Sequence, residues 1–378
     1  MPLVFTLASR NLLQDRVRLI VTLVGIVFSV VLVTVQLGLF LGFQRMVTTM
    51  IDHAHVDLWI TPTETRSFEA TAVLDGRERF RALPIEGVSE VIPVMIGFAY
   101  WRNPRGGSLT PVLVVGVQPG SAGLQPWNVI EGTADDLSTP DAVAVDGSYF
   151  ERLGVTRLGE YGEIGNRKAR VAVVTKGIRS FTTTPFVFTS LDRARAFLGA
   201  PTSSATYFMV RIEPGADVER IRRRLATEVS DAEVMTSEEF RRRSRSFWLF
   251  GTGAGAALFG SALLGIIVGT VIVAQTLYSS TKDHLVEFAT LRAIGSSRRY
   301  IYTVILCQAL LSAVAGFVIA ALAGILIAVA STDTALPIVI SPTLLLSLFL
   351  ITVVMSIASA ISAIVVVTRV DPAMVFAR

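Results

Sequence analysis

The fold is decided by an uncharged stretch past the middle of the chain, residues 246–281, with the sequence SFWLFGTGAGAALFGSALLGIIVGTVIVAQTLYSST. It contains no Asp, Glu, Lys or Arg. An uncharged apolar run of about 18 residues or more is long enough to cross a bilayer as a helix. Comparable runs cover residues 19–44, 301–332 and 334–368. The sequence therefore predicts four transmembrane helices.

The composition of the whole chain agrees with this prediction. Of 378 residues, 52% are hydrophobic and 17% are charged, whereas an ordinary soluble domain has about 25% charged residues. A soluble enzyme, a disordered protein and a disulfide-rich scaffold are excluded. The single cysteine, Cys307, lies in an apolar run, so we expect a buried apolar residue rather than a reactive thiol.

The segment 45–245 is the exception, because its polar composition is ordinary and it is long enough for a domain with its own core. Short apolar runs that end at turn residues predict strands, and apolar positions at helical spacing predict a helix. The strands are predicted at 56–61, 111–117, 170–174 and 206–212, and the helix at 217–229. This mixture predicts an α+β domain.

The distribution of charge predicts the orientation. The segment 45–245 holds 25 basic and 25 acidic residues, so its net charge is zero. The remaining nine cations are Arg10, Arg16, Arg18, Lys282, Arg292, Arg298, Arg299, Arg369 and Arg378. Short loops rich in Lys and Arg stay in the cytoplasm, whereas long domains cross regardless of charge. We therefore expect both termini and the 278–300 loop inside, the α+β domain outside, and no nucleic acid partner.

The first apolar run is predicted to be a retained span. It is longer than the apolar part of a signal peptide, and Gln44-Arg45-Met46 offers no small-residue cleavage site. Residues 2–16 before it can form an amphipathic helix. That helix is either continuous with the span or lies on the inner membrane surface, attracted to membrane lipids.

Glycines are dense in the second run, at Gly253, Gly255, Gly260, Gly265 and Gly269. Small residues let helices approach closely in lipid, so these positions are predicted to form a helix-packing or dimer face. The alternative is that glycine is simply more frequent in transmembrane helices. A phosphate-binding loop is rejected because no Gly-Lys-Ser/Thr follows.

The sequence predicts neither a catalytic site nor a metal site. No ionisable residue lies in the middle of a span, and no Walker motif, His-Glu-x-x-His or cysteine pair is present. His53 and His55 could contact a metal or haem, but two ligands do not make a site. A transporter without its own energy source needs a separate ATPase, and the 278–300 loop is the surface available to it.

That loop contains SSTKDHLVEFATLRAIGSSRR at residues 279–299. Thr281 is predicted to cap a short helix with Asp283 in its first turn, and Gly295 to end it. Leu285, Phe288 and Leu291 would form its apolar stripe. Such a helix either docks into a groove on a partner protein or lies on the lipid surface.

Several segments have sequences typical of one family. They are Ala8–Leu12 with Thr22–Ile26, Val115–Pro119, Glu287–Gly295, Asp371–Ala373, and Gly265–Gly269 with Tyr278–His284. On these segments the chain resembles the permease subunits of MacB/FtsX-like (type VII) ABC transporters. The last two segments are most similar to DevC-type stand-alone exporter permeases.

The resemblance implies a non-catalytic subunit without a cofactor, driven by two copies of a separate ABC ATPase that binds ATP and Mg. It also implies a permease homodimer or a pair with a sister permease, a periplasmic adaptor (membrane fusion protein) and an outer-membrane duct. Movement would pass to the outer domain by mechanotransmission and extrude an amphipathic or lipid-like substrate. The residues implied in ATPase coupling are Asp283, Leu285, Glu287, Phe288, Leu291, Arg292, Ala293 and Gly295.

The predicted organisation is that of a multi-pass protein of the bacterial inner membrane. It comprises an N-terminal helix (1–18), helix 1 (19–44), the periplasmic α+β domain (45–246), helix 2 (247–277), the coupling loop (278–300), helix 3 (301–330), an external loop (331–342), helix 4 (343–367) and a cytoplasmic tail (368–378). Two other functions remain open at this stage. One is a signalling protein of the same architecture, and the other is a membrane-embedded enzyme.

Overall fold

The structure, a computed structural model, describes residues 2–14, 16–182, 184–283, 290, 295–332, 334 and 337–368. The helices are α1 (Pro2–Gln14), α2 (Arg16–Asp52), α3 (Arg77–Ala82), α4 (Phe150–Leu153), α5 (Leu191–Leu198), α6 (Val218–Glu228), α7 (Ser237–Ser246), α8 (Ala254–Asp283), α9 (Arg298–Ala330) and α10 (Pro342–Thr368). The strands are β1 (Leu58–Pro62), β2 (Val88–Arg102), β3 (Leu109–Val117), β4 (Val129–Glu131), β5 (Ala142–Asp146), β6 (Tyr161–Ile164), β7 (Arg167–Thr175), β8 (Phe186–Ser190), β9 (Tyr207–Ile212) and β10 (Ala232–Thr236).

Four helices in the described part of the chain are long and apolar enough to cross a membrane. The spans are Leu19–Asp52, Ala254–Thr276, Arg299–Ala330 and Pro342–Ile361. They correspond to the four predicted helices, with the α+β domain between the first and the second. The limits of the first two helices differ from the predicted ones, and the second helix also continues to Asp283. The helix of the first span continues to Asp52, and the helix of the second begins at Ala254.

The chain divides into two compact units, Phe43–Ala254 and the remainder on both sides of it. We call Phe43–Ala254 the α+β domain and the remainder the helical unit. Within the helical unit, α1 is an element separate from α2 and packs against α9.

In the helical unit, α2 and α8 pack closely because small residues face each other. The Ser29 hydroxyl donates a hydrogen bond to the carbonyl oxygen of Gly265, at 2.8 Å. A Cβ atom added at Gly269 would overlap Ser29. Such close approach is how helices associate in lipid, where apolarity gives no drive to pack.

In the α+β domain, ten strands form one sheet in the order β10-β1-β9-β2-β3-β8-β5-β7-β4, with β6 paired to both β2 and β7. The long strand β2 belongs to two halves of this sheet. Its first part pairs with β9, and its part from Met95 pairs with β3. The pairings of β2, β3, β8, β5, β7 and β6 close into a ring, whereas β9, β1 and β10 extend the sheet beyond the ring.

Three apolar clusters cover the sheet. One spans both halves, with residues such as Trp59, Phe188 and Met209. All six strands of the ring contribute buried side chains to a second cluster, including Trp101, Val143 and Val187. In the third, the strands outside the ring pack against α3 and α6 through residues such as Phe208 and Leu225. The strands β1, β3, β7 and β9, which lie near the predicted positions, are therefore largely buried on both faces. This burial explains why their sequences are short continuous apolar runs.

Candidate functional site

The candidate site lies in the α+β domain where the C-terminal end of α2 meets α7. These two segments are the ends through which the domain is joined to the rest of the chain. Asp52, the last residue of α2, accepts a hydrogen bond from Nε of Arg241 at 2.6 Å. Arg241 also pairs with Glu238 at 2.6 Å. Because both partners of the Asp52–Arg241 pair are partly exposed, we expect it to contribute about 1 kcal/mol.

A second set of contacts follows the ion pair along α2. The Thr48 hydroxyl donates to the other carboxylate oxygen of Asp52, at 2.8 Å, and accepts a long hydrogen bond from Arg245 at 3.5 Å. At the start of α7, the Ser237 hydroxyl donates to the Val56 carbonyl at 2.6 Å and accepts from the Trp59 indole at 3.0 Å. These bonds fix α7 to both α2 and β1.

Aromatic rings also connect α2 with the residues that follow α7. The ring of Phe181 contacts Phe43 of α2 edge to face, with centroids 4.8 Å apart. The same ring contacts Trp248 at 4.4 Å. Each such pair contributes about 0.5–1.5 kcal/mol beyond its burial. Phe181 therefore bridges the first connecting segment to the second.

The segment that carries Phe181 is anchored to the ring of strands. The buried carboxylate of Asp146, at the end of β5, accepts from the backbone N–H of Ile178 at 2.8 Å. Arg179 lies 4.0 Å from the same carboxylate. The backbone N–H of Ser180 contacts the Tyr149 hydroxyl at 3.4 Å. Phe43 and Trp248 are therefore connected through Phe181 and the residues just before it to Asp146 at the end of β5.

Glu69 forms a second contact with Trp248, in addition to that of Phe181. Its carboxylate accepts a hydrogen bond from the Trp248 indole N–H at 3.1 Å. Burial raises the pKa of Glu69, and hydrogen bonds from its own backbone, Trp248 and Ser67 oppose that shift. Burial also raises the pKa of Tyr207, with the nearby Glu69 charge as a further cause.

The connection between α7 and α8 is broken, unlike α2. Residues 247–251 form a π-turn, with the Thr252 N–H bonded to the Phe247 carbonyl at 3.2 Å. Gly253 then has a φ of 77°, a conformation that residues with a Cβ atom rarely adopt. Single π-turns in helices occur often at functional sites. The predicted start of the second helix at 247 fails because this turn interrupts the helical hydrogen bonds.

His53 and His55 pack as aromatic residues. His53 stacks on Trp127 at 3.8 Å with an interplanar angle of 8°, and its Nδ1 lies 2.8 Å from the Thr49 carbonyl. The two imidazole rings are 6.4 Å apart. Within the described ranges, no three His, Cys, Asp or Glu side chains lie close enough together to hold a metal ion.

The five glycines of the predicted packing face have different surroundings. Gly265 and Gly269 lie against α2, close to Leu32 and Ser29. Gly255 is buried, whereas Gly253 and Gly260 have open space where a side chain would be. The five glycines therefore do not form one packing face. A role in dimer formation for Gly253 and Gly260 stays a prediction.

Most of the predicted coupling residues lie outside the described residues. These are Leu285, Glu287, Phe288, Leu291, Arg292 and Ala293. Asp283 is the last residue of α8. Thr281 lies inside α8, so the prediction that it caps a new helix is wrong: α8 continues past the apolar run. Gly295 has a φ of 103°, as a residue that ends a helix requires, and Ser297 caps α9 by accepting from the Tyr300 N–H.

The residues of the candidate site were missed by sequence reasoning. Asp52, Phe181 and Glu69 are each a single polar or aromatic residue in a polar domain, and Trp248 lies in the uncharged run that was predicted to be the second helix. Asp52 is four residues after Thr48, the spacing of side chains on one helical face, and this was the one local signal present. The contact of Asp52 with Arg241 joins residues that are 189 positions apart, for which a single sequence carries no signal.

The architecture defines a class: a membrane protein with four apolar helices and a large α+β domain between the first and the second. The model of the MacB-like periplasmic core domain matches residues 19–228, more than half of the chain. The model of the FtsX-like permease C-terminal region matches residues 259–372. The chain therefore belongs to the MacB/FtsX-like family of ABC transporter permeases, as its sequence motifs predicted.

Similar solved structures come from the outer domains of such proteins. One is the extracellular domain of the noncanonic ABC-type transporter YknZ from Gram-positive bacteria, with 17% identity, 48% of this chain and 98% of that chain covered, and a TM-score of 0.35. Another is the periplasmic region of MacB from Actinobacillus actinomycetemcomitans, with 14% identity, 51% and 94% covered, and a TM-score of 0.38. No curated protein matches the chain.

Proposed function

We propose that this chain is the membrane subunit of an ATP-driven exporter, which transmits the movement of a separate cytoplasmic ATPase to its α+β domain. The family is one of transmembrane ABC transporter subunits that work with a partner ATPase and are generally non-catalytic. The domain would lie outside the inner membrane with both termini inside. Its displacement would extrude an amphipathic or lipid-like substrate.

One observation carries the proposal: α2 is a single helix of 37 residues from Arg16 to Asp52. At about 1.5 Å per residue it is about 55 Å long, whereas the hydrocarbon core of a bilayer is about 30 Å thick. The helix therefore continues well beyond the length a membrane requires. Its far end is fastened to α7 by Asp52 and, through Phe43, to Phe181, so movement of the helix is passed to the domain.

The partners follow from the same proposal. Two copies of the permease, or one copy with a sister permease, would act with two copies of the ATPase, and a periplasmic adaptor and outer-membrane duct would receive the substrate. The ATPase would contact residues 279–299. ATP and Mg would be bound by the ATPase alone.

Hydrogen exchange tests the transmission. The full-length permease would be purified with its ATPase and compared with and without trapped ATP, following exchange in residues 43–62 and 237–251. We expect ATP to change exchange in both segments. In Glu287→Ala/Arg292→Ala, ATP hydrolysis and membrane insertion should persist while the change in exchange is lost.

Arg77→Ala/Arg167→Ala is the control, because it removes two exposed charges that lie outside residues 279–299. It should retain the response to ATP. A wild-type complex in which ATP leaves both domain segments unchanged would contradict the proposal. So would a Glu287→Ala/Arg292→Ala variant that responds like the wild type.

The orientation is tested separately with single cysteines. In a Cys307→Ser background, Asp135→Cys places a thiol in the α+β domain and Ser296→Cys places one just before α9. In intact cells, a membrane-impermeant maleimide should label position 135 and spare position 296. The reverse pattern would overturn the proposed topology.

A further inference from the structure

A cavity of about 1030 Å³ lies in the α+β domain beside the edge strand β10. Its walls come from the loop after β1, from α6 and from α7, and it ends at Ser246 and Phe247. It does not include the ion pair or the aromatic bridge of the candidate site. Only six residues separate Phe247 from Ala254, the first residue of the apolar helix α8.

Four arginines line this cavity: Arg66, Arg222, Arg242 and Arg243. Arg243 pairs with Glu233 at 2.5 Å, and Arg222 pairs with Glu219 at 2.6 Å. Arg66 and Arg242 are exposed, and the structure shows no ion pair for either within the residues it describes. Two guanidinium groups are therefore available to a ligand.

Two of the three carboxylates in the lining, those of Glu233 and Glu239, are engaged within the protein, whereas Glu64 is exposed. Glu233 accepts from the backbone N–H of Glu64 at 3.0 Å as well as from Arg243. Glu239 accepts from the backbone N–H of Thr236 at 2.8 Å, as part of the cap of α7. Because these carboxylates already accept hydrogen bonds, they compete less with an incoming anion for Arg66 and Arg242.

The basic character is local to this part of the domain. Helices α6 and α7 together contain eight arginines and four glutamates, a net charge of +4 (8 − 4). The segment 45–245 as a whole has 25 basic and 25 acidic residues. The excess positive charge is therefore concentrated on the two helices that flank the cavity, which attracts an anion there.

The cavity also has an apolar wall. Val234 and Met235 of β10 are buried beneath it, and Phe247 is partly exposed at its end. Ala226 and Ala232 add further apolar surface. A small inorganic anion would leave this wall unused, whereas an amphiphile with an anionic head and an acyl chain would cover it.

We propose that this cavity binds the phosphate head of an anionic amphiphile such as a phospholipid. Arg66 and Arg242 contact the phosphate oxygens, for which the planar guanidinium is suited. Phe247 and Met235 contact the first carbons of the chain. This site stands whether or not the protein is an exporter, because it depends only on the geometry and charge of the α+β domain.

Binding of short-chain lipids to the full-length protein in a neutral detergent tests the site. Isothermal titration would compare dihexanoyl phosphatidic acid, dihexanoyl phosphatidylcholine and inorganic phosphate. We expect the phosphatidic acid to bind most tightly. Arg66→Gln/Arg242→Gln should weaken its binding by about tenfold or more, because two charge-assisted hydrogen bonds are lost.

Arg77→Gln/Arg167→Gln is the matched control, since both residues are exposed and lie outside the cavity. It should bind like the wild type, and circular dichroism should show all variants folded. Equal affinity for phosphatidylcholine, no binding at all, or equal losses in both double variants would overturn the proposal. Inorganic phosphate binding as tightly as phosphatidic acid would retain the phosphate site but assign it to a free anion.

Discussion

The two segments that join the α+β domain to the helical unit differ in their backbone. The first, at the end of α2, is an unbroken helix as far as Asp52. The second passes from α7 through a π-turn and a glycine with a φ of 77° before α8 begins. A continuous helix transmits displacement along its axis, whereas a break at one residue allows a change of direction. The first segment is thus suited to transmit a displacement along its axis, and the second is suited to change direction at Gly253.

Under the proposed transmission of movement, the contacts between the segments give each feature a role. If α2 moves while Asp52 and Phe43 hold α7 and Phe181, the second segment would follow. The break at Gly253 would let it follow without unwinding α8. The comparison therefore predicts that stiffness matters in the first segment and freedom in the second. Three substitutions test this prediction, and a fourth tests the pKa of Glu69, which contacts Trp248.

The largest effect is expected from Arg45→Pro, which interrupts α2 within the domain. Arg45 is exposed, so the substitution acts through the backbone: it removes a helical hydrogen bond and costs about 3 kcal/mol or more. Thermal unfolding would be followed by tryptophan fluorescence in the full-length protein, since all four tryptophans lie between residues 59 and 248.

The control for this substitution is Arg45→Ala, which removes the same side chain but retains the helix. It should change the free energy of unfolding by less than about 0.5 kcal/mol. Equal stability of the proline and alanine variants would show that the continuity of α2 is unimportant.

The second effect concerns the aromatic bridge. Phe181→Ala removes the ring contacts with both Phe43 and Trp248 and should cost about 2 kcal/mol, less than for a fully buried phenylalanine. It should also raise hydrogen exchange in residues 43–52 and 247–251 together. Phe80→Ala, at a ring that is 71% exposed, is the control. A rise confined to one of the two segments would argue against a bridge.

The third effect concerns the bend. Gly253→Ala forces a Cβ atom into a left-handed conformation, at a cost of about 1 kcal/mol. Gly260→Ala is matched to it, because Gly260 also has open space around its missing Cβ atom but lies inside α8. ATP-dependent exchange in the domain should be reduced only by the substitution at 253. Identical behaviour of the two variants would remove the reason to call Gly253 a hinge.

The smallest effect is a pH dependence at Glu69, whose folded pKa is raised chiefly by burial above an ordinary value of 4.5. The folded protein then holds the proton more tightly than the unfolded chain, so stability falls as the pH rises from about 4.5 through the folded pKa. Glu69→Gln keeps an acceptor for Trp248 without the charge. Its stability relative to the wild type should increase over that pH range and then level off.

Thermal unfolding of both proteins from pH 4 upwards would measure this difference, with the exposed Glu131→Gln as a control. A difference that stays constant with pH, or that declines as the pH rises, would contradict the assigned direction of the shift.

The sequence predicted those parts of the fold that depend on local properties of the chain. The four spans depend on the absence of charge over many consecutive residues, a local property that no tertiary contact can supply. The strands near residues 111–117 and 170–174 were found because both faces are buried, which makes the run continuously apolar. The helix at 218–228 was predicted from its apolar spacing alone, and the structure shows that Asp217 caps it.

The candidate site was not found because its residues are distant in sequence. Phe181 shares no pattern with Phe43 or Trp248, and only the closure of the strands into a ring brings its segment to them. The sequence also could not distinguish the glycines of α8 that lie against α2 from those that have open space around them. Gly260 and Gly265 both lie in the same uncharged run, and only the packing of α2 distinguishes them.

By itself the sequence determined that the chain spans a membrane four times, carries one large α+β domain and belongs to a transporter family, because hydrophobic length and short motifs are local. Only the tertiary structure decided that α2 continues to Asp52, that α7 is tied to it, and that four arginines surround one cavity. Those features depend on which distant side chains meet, and the pairing of strands and helices fixes that in three dimensions.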